Sequence, residues 1–456
     1  MALRQTHALR LAPNPFVSSY RNRPESYSSI ETSLAHLPGA GVEWQNQTVP
    51  QKYAGGVILD AMAAINYSAW TRGPAINLAV INDNRWSWSG MLRYFRKSET
   101  LCPGEDPIST SLHGVDGPVK VKWLWYQTSL KNFIADTYES ISVAHAIDMN
   151  GVKPIGCSEI YSSVYAGKRQ WASQSYKLGS NANVSVITSV YIEHVLIENM
   201  RALGVQVDVI GTEIVIVSAG TYGSPKLLLL SSIGPKSELN HHGIPQYVEL
   251  LLGKTFWKIK DDNTVIGQVS RSEWMSFHGN EPAALNDAHR LLHGDDLERY
   301  VAPGKVHSES FTIPKDSPLV DPNILSTKLD RRTIYEPTKL TNRVLEGEIG
   351  WNMGAEEFDI SDDQRGNMSE EAFNKRVEGT VVGCCHPSST CAMGTVINSN
   401  CQVYDVESLR VVDASIFPFP LAAYYQEVAY AVVEQEIADG SKLLTLSPRR
   451  ILGRSN

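Results

Sequence analysis

Residues 213–234, "EIVIVSAGTYGSPKLLLLSSIG", carry three signals that together decide the fold class. The continuous apolar run "IVIV" is short and typical of a strand that is buried on both faces. Ala219 and Gly220 then predict a turn, and Ser224 followed by Pro225 predicts a helix whose first turn contains the proline. A strand, a glycine turn and a helix in this order are typical of a ligand-binding crossover in a parallel sheet.

The C-terminal part of the chain repeats this logic. "SLRVVDAS" at 408–415 predicts a short strand that ends in an acid and small residues. "QEVAYAVVEQEIADG" at 426–440 predicts an amphipathic helix that Gly440 ends. Two other segments are also readable: 181–217 is rich in strand formers, and "WSWSGMLRYFRKSE" at 86–99 predicts a helix capped by Ser87.

Composition excludes several classes of protein. The chain has 456 residues, 42% of them hydrophobic and 20% charged, which predicts two lobes or domains and argues against disorder. The net charge of −8 is scattered along the chain, so no nucleic-acid partner is expected. Apolar runs fall short of the roughly 18–20 residues that span a bilayer, and no secretory signal is visible. We therefore expect no membrane partner and an intracellular, by default cytoplasmic, location with the six cysteines reduced.

One stretch, "GCCHPSSTCAMG" at 383–394, concentrates chemistry-bearing side chains. A zinc site is disfavoured, because Cys384 and Cys385 are adjacent and no second ligand pair follows at a suitable spacing. Two interpretations stay open from the residues alone: a buried loop of small residues with a hydrogen-bonded histidine, or a catalytic base at His386. An imidazole is well suited to accept a hydroxyl proton near neutral pH.

Four stretches in order resemble the glucose–methanol–choline (GMC) oxidoreductases, flavoenzymes that oxidise alcohols. They are "AINYSAWTRG" at 64–73, "WSWSGMLRYFRKSE" at 86–99, "SAGTYGSPKLLLLSSIGP" at 218–235, and "HPSSTCAMG" at 386–394 together with "SLRVVDASIFP" at 408–418. Each match alone is weak. Their number and order, spread over most of the chain, are what identify the family.

The resemblance implies a mixed α/β fold with a Rossmann-like FAD domain assembled from separated segments. These segments are 54–100, 181–250 and 380–446. A substrate domain with an antiparallel sheet and helices would comprise 101–180 and 251–379, with an irregular N-terminal arm at 1–53 and a tail at 447–456. The resemblance also implies FAD as cofactor and a small-molecule alcohol as substrate.

The resemblance also implies roles for particular residues. His386 matches the family's first active-site histidine, and Tyr424 stands at the second active-site position, where the family usually has His or Asn. The positions implied to contact the cofactor are Asn66, the backbone of Ala69, Val190, Asp413, Ala414, Tyr425 and Gln426.

The chain also departs from the family pattern. It contains no G-x-G-x-x-G, and "GAGVEW" at 39–44 ends in Trp44 where the third glycine would stand. The chain is therefore expected to lack the first phosphate-binding unit, and Asp60 replaces a glycine near the expected diphosphate. A sheet short of strands would expose apolar surface at 214–217 and 411–412. A partner chain, such as a second copy, or the arm at 1–50 would then cover that edge.

Three functions follow from these observations. The first is a GMC-type dehydrogenase or oxidase that oxidises the CH–OH group of a small organic alcohol, in secondary-metabolite biosynthesis. The second is an isomerase, cyclase or dehydratase that works without a cofactor and uses His386 and Tyr424 as acid and base. The third is an inactive, truncated homologue.

Overall fold

A computed structural model describes residues 63, 66, 68–79, 81–102, 111–123, 130–146, 148–152, 156–177, 192–206, 214–241, 244, 246, 248, 331, 334, 335, 338, 339, 342, 368–380, 386–418 and 421–444. The helices in this part of the chain are α1 Ala75–Ala79, α2 Trp88–Ser98, α3 Leu130–Ser140, α4 Ala172–Ser175, α5 Gly220–Leu230, α6 Lys236–His241, α7 Glu370–Thr380 and α8 Gln426–Leu444. The strands are β1 Ala69–Trp70, β2 Glu99–Leu101, β3 Val119–Trp123, β4 Tyr161–Ser162, β5 Val164–Tyr165, β6 Lys168–Arg169, β7 Val195–Glu198, β8 Arg201–Val205, β9 Val215–Val217 and β10 Leu409–Val411.

The strands of the described residues form one larger sheet and three pairs. The larger sheet has the order β1-β4-β3-β2, in which β2 and β3 are parallel and the other pairs are antiparallel. β5 with β6 and β7 with β8 are antiparallel hairpins. β9 and β10 are parallel, with Val215 opposite Leu409, although about 190 residues separate them in sequence. This parallel pair confirms the predicted crossover after residue 217.

Helix α2 forms as the sequence predicts. Ser87 caps it, because its side chain accepts a hydrogen bond from the backbone N–H of Gly90 at 3.1 Å. Met91 and Phe95 point from this helix into the main apolar core, where Trp86 is also fully buried. Val428, Ala431 and Val432 of α8 belong to the same core, so the two helices share one hydrophobic interior.

Helix α5 begins four residues earlier than predicted. It starts at Gly220, so Ser224 and Pro225 lie inside it. Proline has no N–H to donate to the carbonyl of Thr221, four residues before it. The hydroxyl of Thr390 donates to that carbonyl at 2.5 Å instead, and this substitute donor lets the helix continue through the proline.

Three further predictions are wrong in detail. Strand β9 is buried on one face only, because Ile216 is 57% exposed between the buried Val215 and Val217. The predicted exposed apolar edge does not include Val411 and Val412, which are 0% and 4% exposed and contribute to the main core. Helix α8 also does not end at Gly440 but continues to Leu444, since one glycine costs a helix only about 1 kcal/mol.

Candidate functional site

The ends of β9 and β10 are held together by one carboxylate. Asp413 follows β10, and its Oδ2 accepts from the backbone N–H of Gly220 at 2.9 Å and from the Ser224 hydroxyl at 2.5 Å. Its Oδ1 accepts from the backbone N–H of Ser415 at 2.8 Å. Gly220 has φ +80°, a conformation in which glycine is at no steric disadvantage. Asp413 therefore fixes the turn that opens α5 against the turn that follows β10.

The loop that carries His386 lies along the segment after β10. The backbone N–H groups of Ser389, Cys391 and Met393 donate to the carbonyls of residues 414, 415 and 416 at 3.4, 2.9 and 2.8 Å. The Thr221 hydroxyl donates to the carbonyl of Pro387 at 2.8 Å. These bonds fix the backbone that follows His386, and the imidazole ring lies beside the residues that precede α8.

His386 lies against two tyrosine rings. Its ring centroid is 5.2 Å from that of Tyr424, edge to face, and 5.2 Å from that of Tyr425. Its ring nitrogens make no hydrogen bond to any residue that the structure describes. Burial lowers the pKa of His386 below the usual 6.5. The imidazole is therefore neutral near pH 7 and has a nitrogen able to accept a proton.

The two tyrosines are anchored to different parts of the molecule. The backbone N–H of Tyr424 donates to the Thr71 hydroxyl at 2.8 Å, which ties it to the predicted flavin segment at 64–73. The hydroxyl of Tyr425 accepts from the backbone N–H of Leu421 and lies 3.1 Å from that of Ser388. Tyr424 and Tyr425 thus join the start of α8 both to the histidine loop and to β1.

Asn66 and Gln426 lie along a chain of contacts that leads away from His386. The Ser163 hydroxyl lies 3.2 Å from Oε1 of Gln426 and 3.4 Å from the carbonyl of Ser68. Asn66 accepts from the backbone N–H of Ser68 at 2.9 Å and from the guanidinium of Arg169 at 2.7 Å. The amide nitrogen of Gln426 is buried and has no hydrogen-bond partner in the described part of the chain.

The remaining predicted site residues are distributed as follows. Ala69 lies in β1 opposite Ser162, and the carbonyl of Ala414 accepts the bond from Ser389 described above. Val190 falls outside the described residues, as do Cys384 and Cys385. Cys391 is fully buried, and burial raises the pKa of its thiol, which is the property of an inert apolar side chain. Among the residues that the structure describes, no three His, Cys, Asp or Glu side chains are grouped to hold a metal ion.

A buried network of charges beneath β1 was not predicted from the sequence. Arg72 is fully buried, and its guanidinium bonds to Glu99 at 2.5 Å, to Glu427 and to the carbonyl of Leu112. Glu99 also bonds to Nδ1 of His113 at 2.8 Å. We call this set, completed by Asp148 and Asn150, the Arg72 cluster. Asp148 lies 3.1 Å from Nε2 of His113, and the amide of Asn150 donates to Glu427 at 3.0 Å.

The charges of the Arg72 cluster balance when Glu427 is protonated. Burial alone would lower the pKa of His113, but its hydrogen bonds to Asp148 and Glu99 raise it to about 9. Burial raises the pKa of Glu427 to about 8 despite the opposing attraction of Arg72. Near pH 7 the cations Arg72 and His113 therefore face the carboxylates Glu99 and Asp148. Glu427 is then neutral. Glu427 directly follows the predicted cofactor residue Gln426, so this network fixes the first turn of α8.

One signal in the sequence pointed to part of this cluster. Arg72 is a charged residue inside the motif "AINYSAWTRG", where its neighbours are small or apolar, and such an arginine requires buried partners. Its partners Glu99 and Glu427 are 27 and 355 residues away, and no local pattern identifies them. Arg169, which binds Asn66, was also missed, because "GKRQ" resembles an ordinary exposed turn.

The fold and the family comparisons define a flavoprotein oxidoreductase. Residues 54–259 and 301–432 match the two models of the GMC oxidoreductase. The chain belongs to the GMC oxidoreductase family, as its motifs predict, and FAD is the cofactor of that family. No helix within the described ranges has the length and apolar character needed to cross a bilayer.

Individual relatives are distant but match over most of their length. The chain is 28% identical to the oxygen-dependent choline dehydrogenase of Photobacterium profundum, over 89% of this chain and 81% of that protein. It is 25% identical to the GMC-type oxidoreductase acuG of Aspergillus aculeatus, over 90% of this chain and 91% of that protein.

Solved structures confirm the α/β fold. A FAD-dependent oxidoreductase from Chaetomium thermophilum superposes with a TM-score of 0.68 at 18% identity, covering 90% of this chain and 92% of that one. A fungal aryl-alcohol oxidase gives a TM-score of 0.69 at 17% identity, covering 90% and 91%. At these identities the likeness concerns the fold alone.

Proposed function

We propose that this protein oxidises the CH–OH group of a small organic alcohol, with His386 as the group that accepts the hydroxyl proton. The observation that carries the proposal is the state of His386: its imidazole is neutral, lies against two tyrosine rings and is bonded to no described residue. A side chain fixed in this way, with its own hydrogen-bonding capacity unused, suits a proton acceptor.

The residues around His386 fit a flavin. A flavin ring offers several hydrogen-bond acceptors and one donor on its edge. The buried amide nitrogen of Gln426 lacks an acceptor within the described residues, and the ring nitrogens of His386 are equally unused there. FAD, when bound, supplies the acceptor for the hydride that leaves the carbinol carbon.

The chain's own residues would share the remaining tasks. Asn66, the backbone of Ala69, Tyr425 and Gln426 would hold the ring. Asp413, Ala414 and Val190 would lie along the rest of the cofactor. Since both Asp413 oxygens accept hydrogen bonds from the chain itself, its part would be to shape the two turns rather than to pair with the cofactor directly.

Tyr424 would position the substrate. Its ring stands edge-on to His386, and its backbone is tied to Thr71, so the phenol ring forms one wall beside the imidazole. An aromatic wall favours an alcohol with an apolar or aromatic body. A role in secondary-metabolite biosynthesis, an additional subunit and a cytoplasmic location stay predictions from the sequence.

The test uses the purified full chain and its absorbance between roughly 350 and 500 nm, where an oxidised flavin absorbs. We expect bound flavin, or its uptake on titration with FAD, and bleaching when a reactive alcohol is added without oxygen. Admitting oxygen then separates an oxidase, which recovers its colour and produces hydrogen peroxide, from a dehydrogenase. Protein that takes up no flavin contradicts the proposal. Turnover in such protein would favour the cofactor-free acid–base function of His386 and Tyr424.

A further inference from the structure

Arg169, in strand β6, is fixed by one of its two terminal nitrogens. Its Nη1 donates to the side-chain oxygens of Asn66 and Ser68 at 2.7 Å each and lies 3.3 Å from the carbonyl of Ala63. All three acceptors belong to the short segment before β1. The other two nitrogens, Nε and Nη2, make no hydrogen bond to a described residue.

The charge of Arg169 has no counterion among the described residues. Its three acceptors are neutral oxygens, and burial lowers the pKa of its guanidinium to about 10. Arg72 shows the opposite arrangement, since the carboxylate of Glu99 contacts it directly. A half-buried cation without an anion is costly for a fold, and the cost falls when a ligand brings the missing charge.

A second polar group of the same wall also lacks a partner. The buried amide nitrogen of Gln426 has no acceptor in the described part of the chain. Ser163 connects it to Arg169: its hydroxyl reaches Oε1 of Gln426 and the carbonyl of Ser68, and the Ser68 hydroxyl accepts from Arg169. Two unsatisfied donors therefore belong to one hydrogen-bonded wall that leads to Tyr425 and His386.

We propose that Arg169, which is connected to Gln426 through Ser68 and Ser163, forms an oxyanion-binding subsite beside the proposed catalytic site. The ligand group is a phosphate or a carboxylate, because a guanidinium with Nε and Nη2 unused presents the paired N–H groups that bind such oxygens. The diphosphate of FAD is one source, and it would supply a cation contact to a chain that has no G-x-G-x-x-G. A carboxylate on the substrate is the other. The FAD source rests on the proposed function.

The first experiment needs no flavin. Thermal unfolding of the full chain is followed with inorganic pyrophosphate and, separately, with benzoate, for the wild type and for Arg169→Gln, Arg169→Lys and Lys168→Gln. Lys168 is the exposed neighbour in the same strand, so its loss removes the same charge without touching the subsite. We expect one of the two anions to raise Tm in the wild type and in Lys168→Gln but not in Arg169→Gln, with Arg169→Lys in between. Equal shifts in all four proteins, or none in any, overturn the proposal.

The second experiment separates the two sources and a merely structural role. If the diphosphate binds Arg169, Arg169→Gln weakens FAD by about 10–100-fold and leaves riboflavin, which has no phosphate, within about threefold. If a substrate carboxylate binds, FAD is unchanged and benzoate no longer perturbs the flavin spectrum. Equal losses for FAD and riboflavin mean that Arg169 only supports the segment before β1, which contradicts the subsite.

Wild-type protein that binds no FAD contradicts the proposed function, while the pyrophosphate and benzoate shifts still decide the subsite. Should Arg169→Gln fail to fold, Arg169→Lys, which keeps the charge but lacks the paired N–H groups, carries the same comparisons with smaller losses.

Discussion

The Arg72 cluster and the surroundings of His386 lie on either side of the same helix start, and they use polar groups in opposite ways. In the cluster, Arg72 bonds to Glu99, Glu99 bonds to His113 and His113 bonds to Asp148, so each nitrogen of the His113 ring has a carboxylate partner. Around His386, the imidazole and the Gln426 amide nitrogen have no partner in the described residues. A polar group that the fold has already satisfied is structural. One that is fixed in place and unsatisfied is available to a ligand.

The largest expected effect comes from changing His386, in the region whose polar groups are left without partners. His386→Asn keeps a polar side chain of smaller size but removes the proton acceptor, so we expect reduction of bound flavin by alcohol to slow by about 10²–10⁴-fold. Flavin content, measured from the absorbance spectrum, should stay the same. The exposed His145→Asn is the matched control and should react like the wild type. A His386→Asn variant that reduces flavin at the normal rate would show that His386 does not accept the hydroxyl proton.

The Arg72 cluster, whose polar groups are satisfied by one another, should lose stability when Arg72 is removed. Arg72→Leu leaves Glu99 and Asp148 buried with only His113 to balance them, and we expect it to lower the free energy of unfolding by about 3–5 kcal/mol. Chemical denaturation at pH 6 measures the loss. Arg201→Leu is the control, because Arg201 pairs with Glu407 at the surface and both side chains are more than half exposed. This change should lower the free energy of unfolding by less than about 1 kcal/mol. Equal costs for both variants would show that the cluster does not stabilise the fold.

A smaller effect tests how the histidine loop is attached to α5. Thr390→Val removes the hydroxyl that serves the Thr221 carbonyl, which Pro225 cannot serve, and should cost about 1–3 kcal/mol. Restoring a backbone donor with Pro225→Ala should recover part of this loss. The double variant must therefore be more stable than the sum of the two single changes implies. Strict additivity would mean that the Thr390 bond does not replace the missing N–H.

The smallest expected change at mild pH concerns Glu427. Because this carboxyl is neutral in the fold up to about pH 8, Glu427→Gln should change the unfolding free energy at pH 6 by less than about 1 kcal/mol. Its effect lies in the pH dependence. A carboxyl whose pKa is raised on folding from 4.5 to about 8 loses its stabilising contribution as the pH rises through that interval.

His113 extends the same trend to higher pH. Its pKa rises from 6.5 to about 9 on folding, so its contribution is fully present below pH 6.5 and lost as the pH approaches 9. Denaturation curves at several pH values should therefore show stability falling from about pH 5 to pH 9. Glu427→Gln should flatten the lower part of that fall. Stability that rises with pH over this range contradicts the assigned protonation states.

Local signals predicted the local parts of the fold. Helix α2 and its Ser87 cap depend on residues within a few positions of one another, and the parallel strands β9 and β10 follow from short apolar runs. The start of α5 was predicted wrongly because two distant residues decide it: Asp413 binds the N–H of Gly220, and Thr390 replaces the donor that Pro225 lacks. Propensity at Ser224 and Pro225 could not include either contact.

The candidate site was predictable to the extent that motifs contain it. His386, Tyr424, Tyr425 and Gln426 were identified by resemblance, and the structure brings them together at the start of α8. The partners that tune them were not predictable. Glu427 is one acidic residue in an amphipathic helix until Arg72 and Asn150 are known to surround it. Long-range electrostatics of this kind leaves no periodic trace in a sequence.

His386 and His113 provide the most direct test of the difference between the region around His386 and the Arg72 cluster. Nuclear magnetic resonance of the full chain with labelled histidine, titrated with acid and base in the presence and absence of FAD, reports both rings in one sample. We predict that His386 titrates below pH 6.5 and that its signals move when FAD is added, whereas His113 titrates near pH 9 and its signals stay in place. A His386 resonance that ignores FAD, or a His113 resonance that titrates normally and responds to it, would contradict the account.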